Sequence, residues 1–258
     1  MQREATLLDL NLKGRHAVVT GAGRGIGRGI ALALAEAGVN VAFNYLHNRR
    51  AAEDTLRLLE ERNIECFARR ANVAEPEAME KFFQEVGEKF GTLDLLVHNA
   101  ASGVERPATE LTLHHFQWTL EINAWGLLSS AKLAQPLMTS GGSIVAISSL
   151  GSIRALPYYA AVGASKAAIE SLSRHLATEL GSSGIRVNVI SAGAIDTDAL
   201  KHFPNREALL EETVRRTPLH RLTTPEDVAH AVLFLASDLS SGISGATLFV
   251  DGGYHVVG

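Results

Sequence analysis

Apolar, β-rich runs alternate with helical patterns from one end of the chain to the other, and this order restricts the fold more than any other feature. The first run is His16-Ala17-Val18-Val19-Thr20, followed by a helical stretch from Ile26 to Ala37 that Gly38 terminates. Strand Val39 to Asn44, helix Arg50 to Arg62, strand Glu65 to Arg69, helix Pro76 to Phe90 and strand Leu93 to Val97 continue the alternation. A long helix from Leu113 to Met138 precedes strand Ser143 to Ser148, and a second, from Tyr158 to Leu180, precedes strand Arg186 to Ile190. Residues 196–224 read as irregular and polar; helix Pro225 to Ala236 and strand Thr247 to Val250 close the chain. Strict β/α alternation with continuously apolar strands predicts an α/β fold. The expected form is a single doubly wound parallel sheet (Rossmann fold) with helices on both faces and ligands at the carboxyl ends of the strands. No linker or repeat divides residues 1–258, so one domain is expected, with 1–13 as an N-terminal extension.

Composition removes several function classes. The net charge is −4 and no Lys/Arg run stands out, which argues against nucleic acid as a partner. No apolar run reaches the roughly 18 residues of a membrane span, and residues 1–13 lack the charged-then-apolar pattern of a secretion signal, so a cytoplasmic location is expected. One cysteine, Cys66, excludes a disulfide framework and reads as a buried structural thiol. No His/Cys/Asp cluster has metal-ligand spacing, so no metal is expected.

The first strand runs straight into Thr20-Gly21-Ala22-Gly23-Arg24-Gly25-Ile26-Gly27. Glycines there let the backbone turn tightly and approach a pyrophosphate, and the helix that follows offers N–H donors and the positive end of its dipole. No Asp or Glu occurs between Glu36 and Glu53, where an acid would bond an NAD ribose hydroxyl. Instead Arg24 sits in the loop, and Arg49-Arg50 follow the strand end at Tyr45; cations of this kind suit the 2′-phosphate of NADPH.

The spacing Gly-x-x-x-Gly-x-Gly after a threonine resembles the short-chain dehydrogenase/reductase family, and further motifs extend the resemblance over essentially the whole chain. His98-Asn99-Ala100-Ala101 stands where the family usually has Asn-Asn-Ala-Gly. Asn72-Val73 falls at the adenine-contact position, Asn123 lies in the following long helix, and Ser148-Ser149 end the fifth strand. Lys166 lies in the next helix, Ser191 to Thr197 (with Gly193, Ile195 and Thr197) follow the sixth strand, and Asp251-Gly252-Gly253 closes the series. The resemblance implies a cofactor set of Gly21, Gly23, Arg24, Gly25, Ile26, Gly27, Tyr45, Arg49, Asn72, Val73, Asn99, Ala100, Ala101, Lys166, Gly193, Ile195 and Thr197. It also implies a homotetramer built through the two long helices.

Most of the family carries Tyr-x-x-x-Lys, but four residues before Lys166 this chain has Val162, which has no proton to donate. Tyr159 is seven residues before Lys166; on a helix, positions seven apart differ by only about 20° in facing, whereas Tyr158 is turned by about 80°. Tyr-x6-Lys, together with Ser148 to Arg154 and Gly193 to Glu207, is similar to the type III enoyl-acyl-carrier-protein reductases of Bacillus-type bacteria. The resemblance implies NADPH-linked reduction of a 2-enoyl thioester on acyl-carrier protein or coenzyme A, in fatty-acid synthesis. Tyr159 is then the donor, acidified by Lys166; Lys166 holds the nicotinamide ribose, Ser149 lies close to the substrate carbonyl, and Asn123 holds a relay water. Phe203, Leu209 and Leu210 in the 196–224 loop are expected to cover the acyl chain, and Lys201, Arg206, Arg215 and Arg216 either meet an acidic carrier protein or form a solvated face. His98 reads as structural. Two alternatives remain open: a 3-oxoacyl or carbonyl reductase with an unusual tyrosine, and a nucleotide-binding sensor without activity.

Overall fold

A computed structural model describes residues 10–196 and 206–257. Seven strands form one all-parallel sheet: β1 (His16–Thr20), β2 (Asn40–Tyr45), β3 (Cys66–Arg70), β4 (Leu95–His98), β5 (Gly142–Ser149), β6 (Ile185–Ala192) and β7 (Thr247–Val250). The spatial order is β3-β2-β1-β4-β5-β6-β7, so the winding reverses between β1 and β4. Helices α1 (Gly25–Glu36), α2 (Arg49–Glu60), α3 (Pro76–Phe90), α4 (Leu113–Leu120), α5 (Gly126–Ala134), α6 (Ala160–Leu180), α7 (Arg206–Arg216) and α8 (Pro225–Ala236) complete the described part.

The two faces of the sheet carry separate cores, as the two-residue side-chain period of strands requires. Ala17, Val19 and Val97 pack with Ile30 and Leu34 of α1 and Val228 and Val232 of α8. Val18 and Leu96, one position out of step, pack with Phe82 and Val86 of α3, Leu127 of α5 and Ile169 of α6. Apolar burial on both faces explains why these strands read as continuous hydrophobic runs.

Four expectations need correction. The helix expected over Leu113–Met138 is interrupted: α4 passes into a π-helical turn at Glu121–Trp125, then α5, then a 3₁₀ turn at Gln135–Leu137. The wider turn contains Asn123, whose side chain hydrogen-bonds the backbone of Ser102. Helix α6 begins at Ala160, so Tyr158 and Tyr159 precede it. The 196–224 segment contains α7, ended by two basic residues that suit a helix C-terminus. Cys66 is half-buried rather than fully buried, and desolvation pushes its thiol pKa up. No helix among the described residues is long and apolar enough to cross a membrane.

Candidate active site

The crevice opens at the carboxyl ends of β1 and β4, where the winding reverses. Thr20 ends β1 fully buried, and its hydroxyl oxygen accepts the backbone N–H groups of Asn99 and Ala100, both at 3.0 Å. The Asn99 amide returns hydrogen bonds to the carbonyls of Thr20 (3.0 Å) and Gly21 (3.2 Å). These bonds lock the glycine loop to the segment after β4. Gly21 and Gly25 have φ of 70° and 58°, which other residues rarely adopt. A Cβ on Gly27 would lie 2.5 Å from Asn99 Nδ2 and 2.7 Å from the Gly21 carbonyl. Arg24 precedes α1 in extended conformation, and no side chain caps that helix, which leaves first-turn N–H groups for an anion. The donor set and the side-chain-free cradle therefore fit a dinucleotide pyrophosphate.

On the β2 side, Asn44 is buried and joins three strand ends: Oδ1 accepts Gly21 N–H (3.2 Å) and Nδ2 donates to the Ala71 carbonyl (2.8 Å). Arg28 was not singled out by the sequence reading. Its guanidinium donates to the carbonyls of Gly23 (2.9 Å) and Ala51 (2.8 Å) and to Thr55 Oγ1 (2.8 Å), clamping the glycine loop onto α2. A lone arginine inside an amphipathic helix gives no sequence signal of this role. Tyr45 ends β2, and Arg24 is exposed in the glycine loop. Arg49 is exposed and paired with Glu53 at 2.7 Å, one turn along α2. Asn72 Oδ1 accepts the Ala74 N–H in a tight turn, which presents the buried Val73 at the end of β3.

The candidate catalytic residues gather at the end of β5. Ser149 ends that strand, and its Oγ is 3.2 Å from the Tyr159 hydroxyl. Tyr159 is the N-cap residue of α6, not part of it, so helical phase is not what aims it inward. Tyr158, with φ of 59°, turns the chain so that its own ring is exposed while Tyr159 points toward Ser149. Burial pushes the Tyr159 pKa up, partly offset by the Ser149 hydrogen bond, with Glu105 adding to the rise. The phenol is thus held protonated, contrary to the expectation that Lys166 acidifies it.

Lys166 is buried in α6, and its Nζ donates to the Ile147 carbonyl at 2.8 Å. Burial pulls its pKa down to about 8, opposed by Glu170 one turn further on. Glu170 is itself buried and accepts a 2.7 Å hydrogen bond from Ser148; the sequence reading missed it, although Lys-x-x-x-Glu on one helix face is a legible pair.

Asn123 has protein partners on both amide atoms. Its Nδ2 donates to the Ser102 carbonyl (2.9 Å) and Ser165 Oγ (2.8 Å), and its Oδ1 accepts Ser102 N–H (2.9 Å). One acceptor position on Oδ1 is left for the expected relay water. Its backbone carbonyl is 2.9 Å from Nε2 of His98. The Nδ1 of His98 lies 3.4 Å from the Thr20 hydroxyl, whose oxygen already accepts two N–H groups, so its proton is directed to Nδ1 and Nε2 carries the imidazole proton. Burial, with Lys166 nearby, lowers the His98 pKa to about 3.

Gly193 and Ile195 follow β6. A Cβ on Gly193 would fall 2.5 Å from Thr223 Oγ1 and 2.9 Å from Asp251 Cα, so glycine lets the 223 and 251 segments close on this side of the crevice. Thr197, Lys201, Phe203 and the Leu209 side chain lie outside the described part. Arg206 pairs with Asp196, Arg215 with Glu212, and Arg216 stands 5.5 Å over the Tyr254 ring, so these cations engage the chain's own groups. Among the described residues no group of His, Cys, Asp and Glu could hold a metal ion.

A doubly wound parallel sheet with this glycine cradle defines a nicotinamide-dinucleotide oxidoreductase of the short-chain type. A family model for enoyl-(acyl carrier protein) reductase matches residues 21–255, and the chain belongs to that family. The 1-cyclohexenylcarbonyl-CoA reductase of Streptomyces collinus is 40% identical over 243 residues, which cover 93% of this chain and 87% of that protein. The NADH-dependent enoyl-acyl-carrier-protein reductase FabI of Nostoc sp. is 38% identical over 257 residues, 96% of this chain and 99% of the relative. The Bacillus cereus enoyl-acyl carrier protein reductase, solved with NADP+ and an indole naphthyridinone, superimposes with a TM-score of 0.92 at 33% identity, covering 97% and 100% of the two chains.

Proposed function

We propose that this chain reduces the 2,3 double bond of an enoyl thioester with NADPH, in fatty-acid synthesis. The observation that carries the reading is Tyr159, protonated and 3.2 Å from Ser149, with Val162 in the place nearer Lys166. A bound nicotinamide supplies hydride, which in enoyl reduction goes to the β-carbon. Negative charge then develops on the thioester oxygen, beyond the reach of a donor set for a carbonyl at the hydride-accepting carbon. Tyr159 donates a hydrogen bond to that oxygen, and Ser149 orients the phenol. Lys166 keeps one donor on Ile147 and offers the others to ribose hydroxyls. Asn123 acts as a positioning residue that ties the 102 segment to α6. Gly21 to Gly27 hold the pyrophosphate, Asn72 and Val73 flank the adenine, and Asn99, Ala100 and Ala101 with Gly193, Ile195 and Thr197 line the nicotinamide end.

The NADPH reading rests on Arg24 and on the missing acid after β2. Arg49 and Arg50 open α2 with no acid in its first turn; Arg49 is paired with Glu53, and a 2′-phosphate would compete for it. We take residues 1–258 as one cytoplasmic domain, with 1–13 as an extension and 196–224 as the cover over the acyl chain. Phe116, Trp118 and Trp125 are exposed on α4 and the π turn, which supports burial of this stretch in a homotetramer. A second reading, reduction of a 3-oxoacyl or other carbonyl, is favoured by the same Ser149–Tyr159 pair, since two adjoining hydroxyls also suit a carbonyl oxygen. Oxidation of NADPH and NADH with crotonyl and acetoacetyl thioesters separates the two. Turnover of the enoyl substrate with NADPH preferred is expected. Reduction of the keto thioester alone overturns the enoyl assignment, and preference for NADH overturns the cofactor assignment.

A further inference from the structure

Two glycines of the catalytic corner are not explained by backbone freedom. Gly151, in the 3₁₀ turn after Ser149, and Gly163, in the first turn of α6, both lie outside the positive-φ region. Alanine is therefore allowed by the backbone at both, and within a helix it is favoured over glycine by about 1 kcal/mol. What a side chain would meet is the ring of Tyr159. A Cβ on Gly151 would lie 2.5 Å from Tyr159 Cδ1. A Cβ on Gly163 would lie 2.6 Å from the Gly151 carbonyl oxygen and 3.7 Å from the same ring carbon. One residue earlier in that turn, Val162 fills the space that a side chain on Gly103 would need.

We infer that Gly151 and Gly163 are positioning residues for the reaction: their missing side chains form the slot that seats the Tyr159 ring and sets its hydroxyl on Ser149. The inference rests on the reading of Tyr159 as the oxyanion donor and says what fixes that donor in place. Gly151 bounds one side of the ring directly. Gly163 allows α6 to come close enough for the Gly151 carbonyl to pass, and its N–H donates the first helical bond to the Tyr159 carbonyl at 2.6 Å, so side chain and backbone of Tyr159 are set by one contact cluster. The strained Tyr158 turns the chain into the slot; the slot determines where the ring stops.

The test is a double-mutant cycle on enoyl-thioester reduction in the full chain. Gly151→Ala moves the ring by roughly an ångström, and a misplacement of that size can cost about 10²-fold in rate. The loss is expected in kcat, with NADPH affinity by fluorescence titration unchanged. In the Tyr159→Phe background, where no hydroxyl is left to misplace, Gly151→Ala should cost little more, so the two effects are strongly non-additive. Gly163→Ala should show the same split between kcat and cofactor affinity. If Gly151→Ala does not fold, removing the ring in Gly151→Ala/Tyr159→Ala must restore folding, and failure to do so overturns the inference. Additive losses, or wild-type kcat in Gly151→Ala, also overturn it. Full activity in Tyr159→Phe alone sinks the underlying reading instead, so the two failures are told apart.

Discussion

Two segments at the carboxyl ends of the strands, one after β1 and one after β5, use glycine for different physical reasons. In Thr20–Gly27, Gly21 and Gly25 take left-handed φ, and the loop is held by hydrogen bonds donated by Asn99 and Arg28 and accepted by Asn44. In Ser149–Gly163, the glycines are ordinary in backbone and matter for the volume they leave empty, while the left-handed residue is Tyr158. The first segment shapes backbone around a ligand. The second shapes room around a side chain. Loss of a donor in the second should therefore act on the chemical step, and changes in the first on cofactor choice.

The largest effect is expected from the seated phenol. Tyr159→Phe keeps the ring in its slot and removes the hydroxyl, so kcat for an enoyl thioester should fall by about 10²–10³, the cost of one oxyanion donor. NADPH affinity should change little, because the cradle at Thr20–Gly27 is untouched. Tyr158→Phe should be nearly silent, since that ring is exposed. Tyrosine introduced at Val162 in the Tyr159→Phe background should not restore activity, because Val162 already packs onto Gly103 and a larger ring displaces that loop. Steady-state rates with crotonyl thioester check all three, and equal losses in Tyr158→Phe and Tyr159→Phe would erase the distinction between the two rings.

The glycine loop is sharpened by Arg24→Ala. Loss of one charge-assisted contact to the 2′-phosphate should narrow the ratio of kcat/KM for NADPH over NADH by about tenfold, corresponding to roughly 1.5 kcal/mol. The kcat at saturating NADPH should hold. A variant that loses activity equally with both nucleotides would show that Arg24 supports the loop and not the phosphate.

The same contrast explains what was legible in the sequence. Fold class followed from β/α alternation because burial on both sheet faces imposes it residue by residue. The cofactor loop followed from spacing, since backbone conformation and close approach demand glycine at fixed positions. Tyr159 was reached by assuming that it lies on α6; the structure places it before the helix, and a left-handed Tyr158 gives the inward aim that helical phase was meant to supply. The break of the long helix at Asn123 was not legible, because partners at Ser102 and Ser165, 21 and 42 residues away in sequence, draw that side chain in. Gly151 and Arg28 were missed for the same reason: their roles lie in tertiary contacts that leave no local pattern. Glu170 was legible in part, as the i+4 partner of Lys166, but its bond to Ser148 was not.

His98 sits between the two segments, against Thr20 on the cofactor side and Asn123 on the catalytic side. It carries the smallest expected effect. Its pKa is lowered to about 3 by burial, against about 6.5 for an unfolded histidine. Above pH 6.5 both states are neutral and His98 contributes no pH dependence. As pH falls from 6.5 toward 3, the unfolded chain takes up a proton that the folded chain refuses, so stability is lost at up to about 1.4 kcal/mol per pH unit. His98→Asn gives the residue more usual in the family and has no titrating group. Its urea midpoint should therefore fall less than that of the wild type between pH 7.5 and 5.5, in otherwise identical buffers without cofactor. At pH 7.5 its NADPH-dependent rate should stay within a few-fold of wild type, because the folded imidazole is already neutral, so asparagine leaves the charge near Lys166 unchanged. Parallel loss of stability in both proteins over this range would mean that His98 accepts its proton in the folded state, and that the bridge between the two segments is not held by a neutral imidazole.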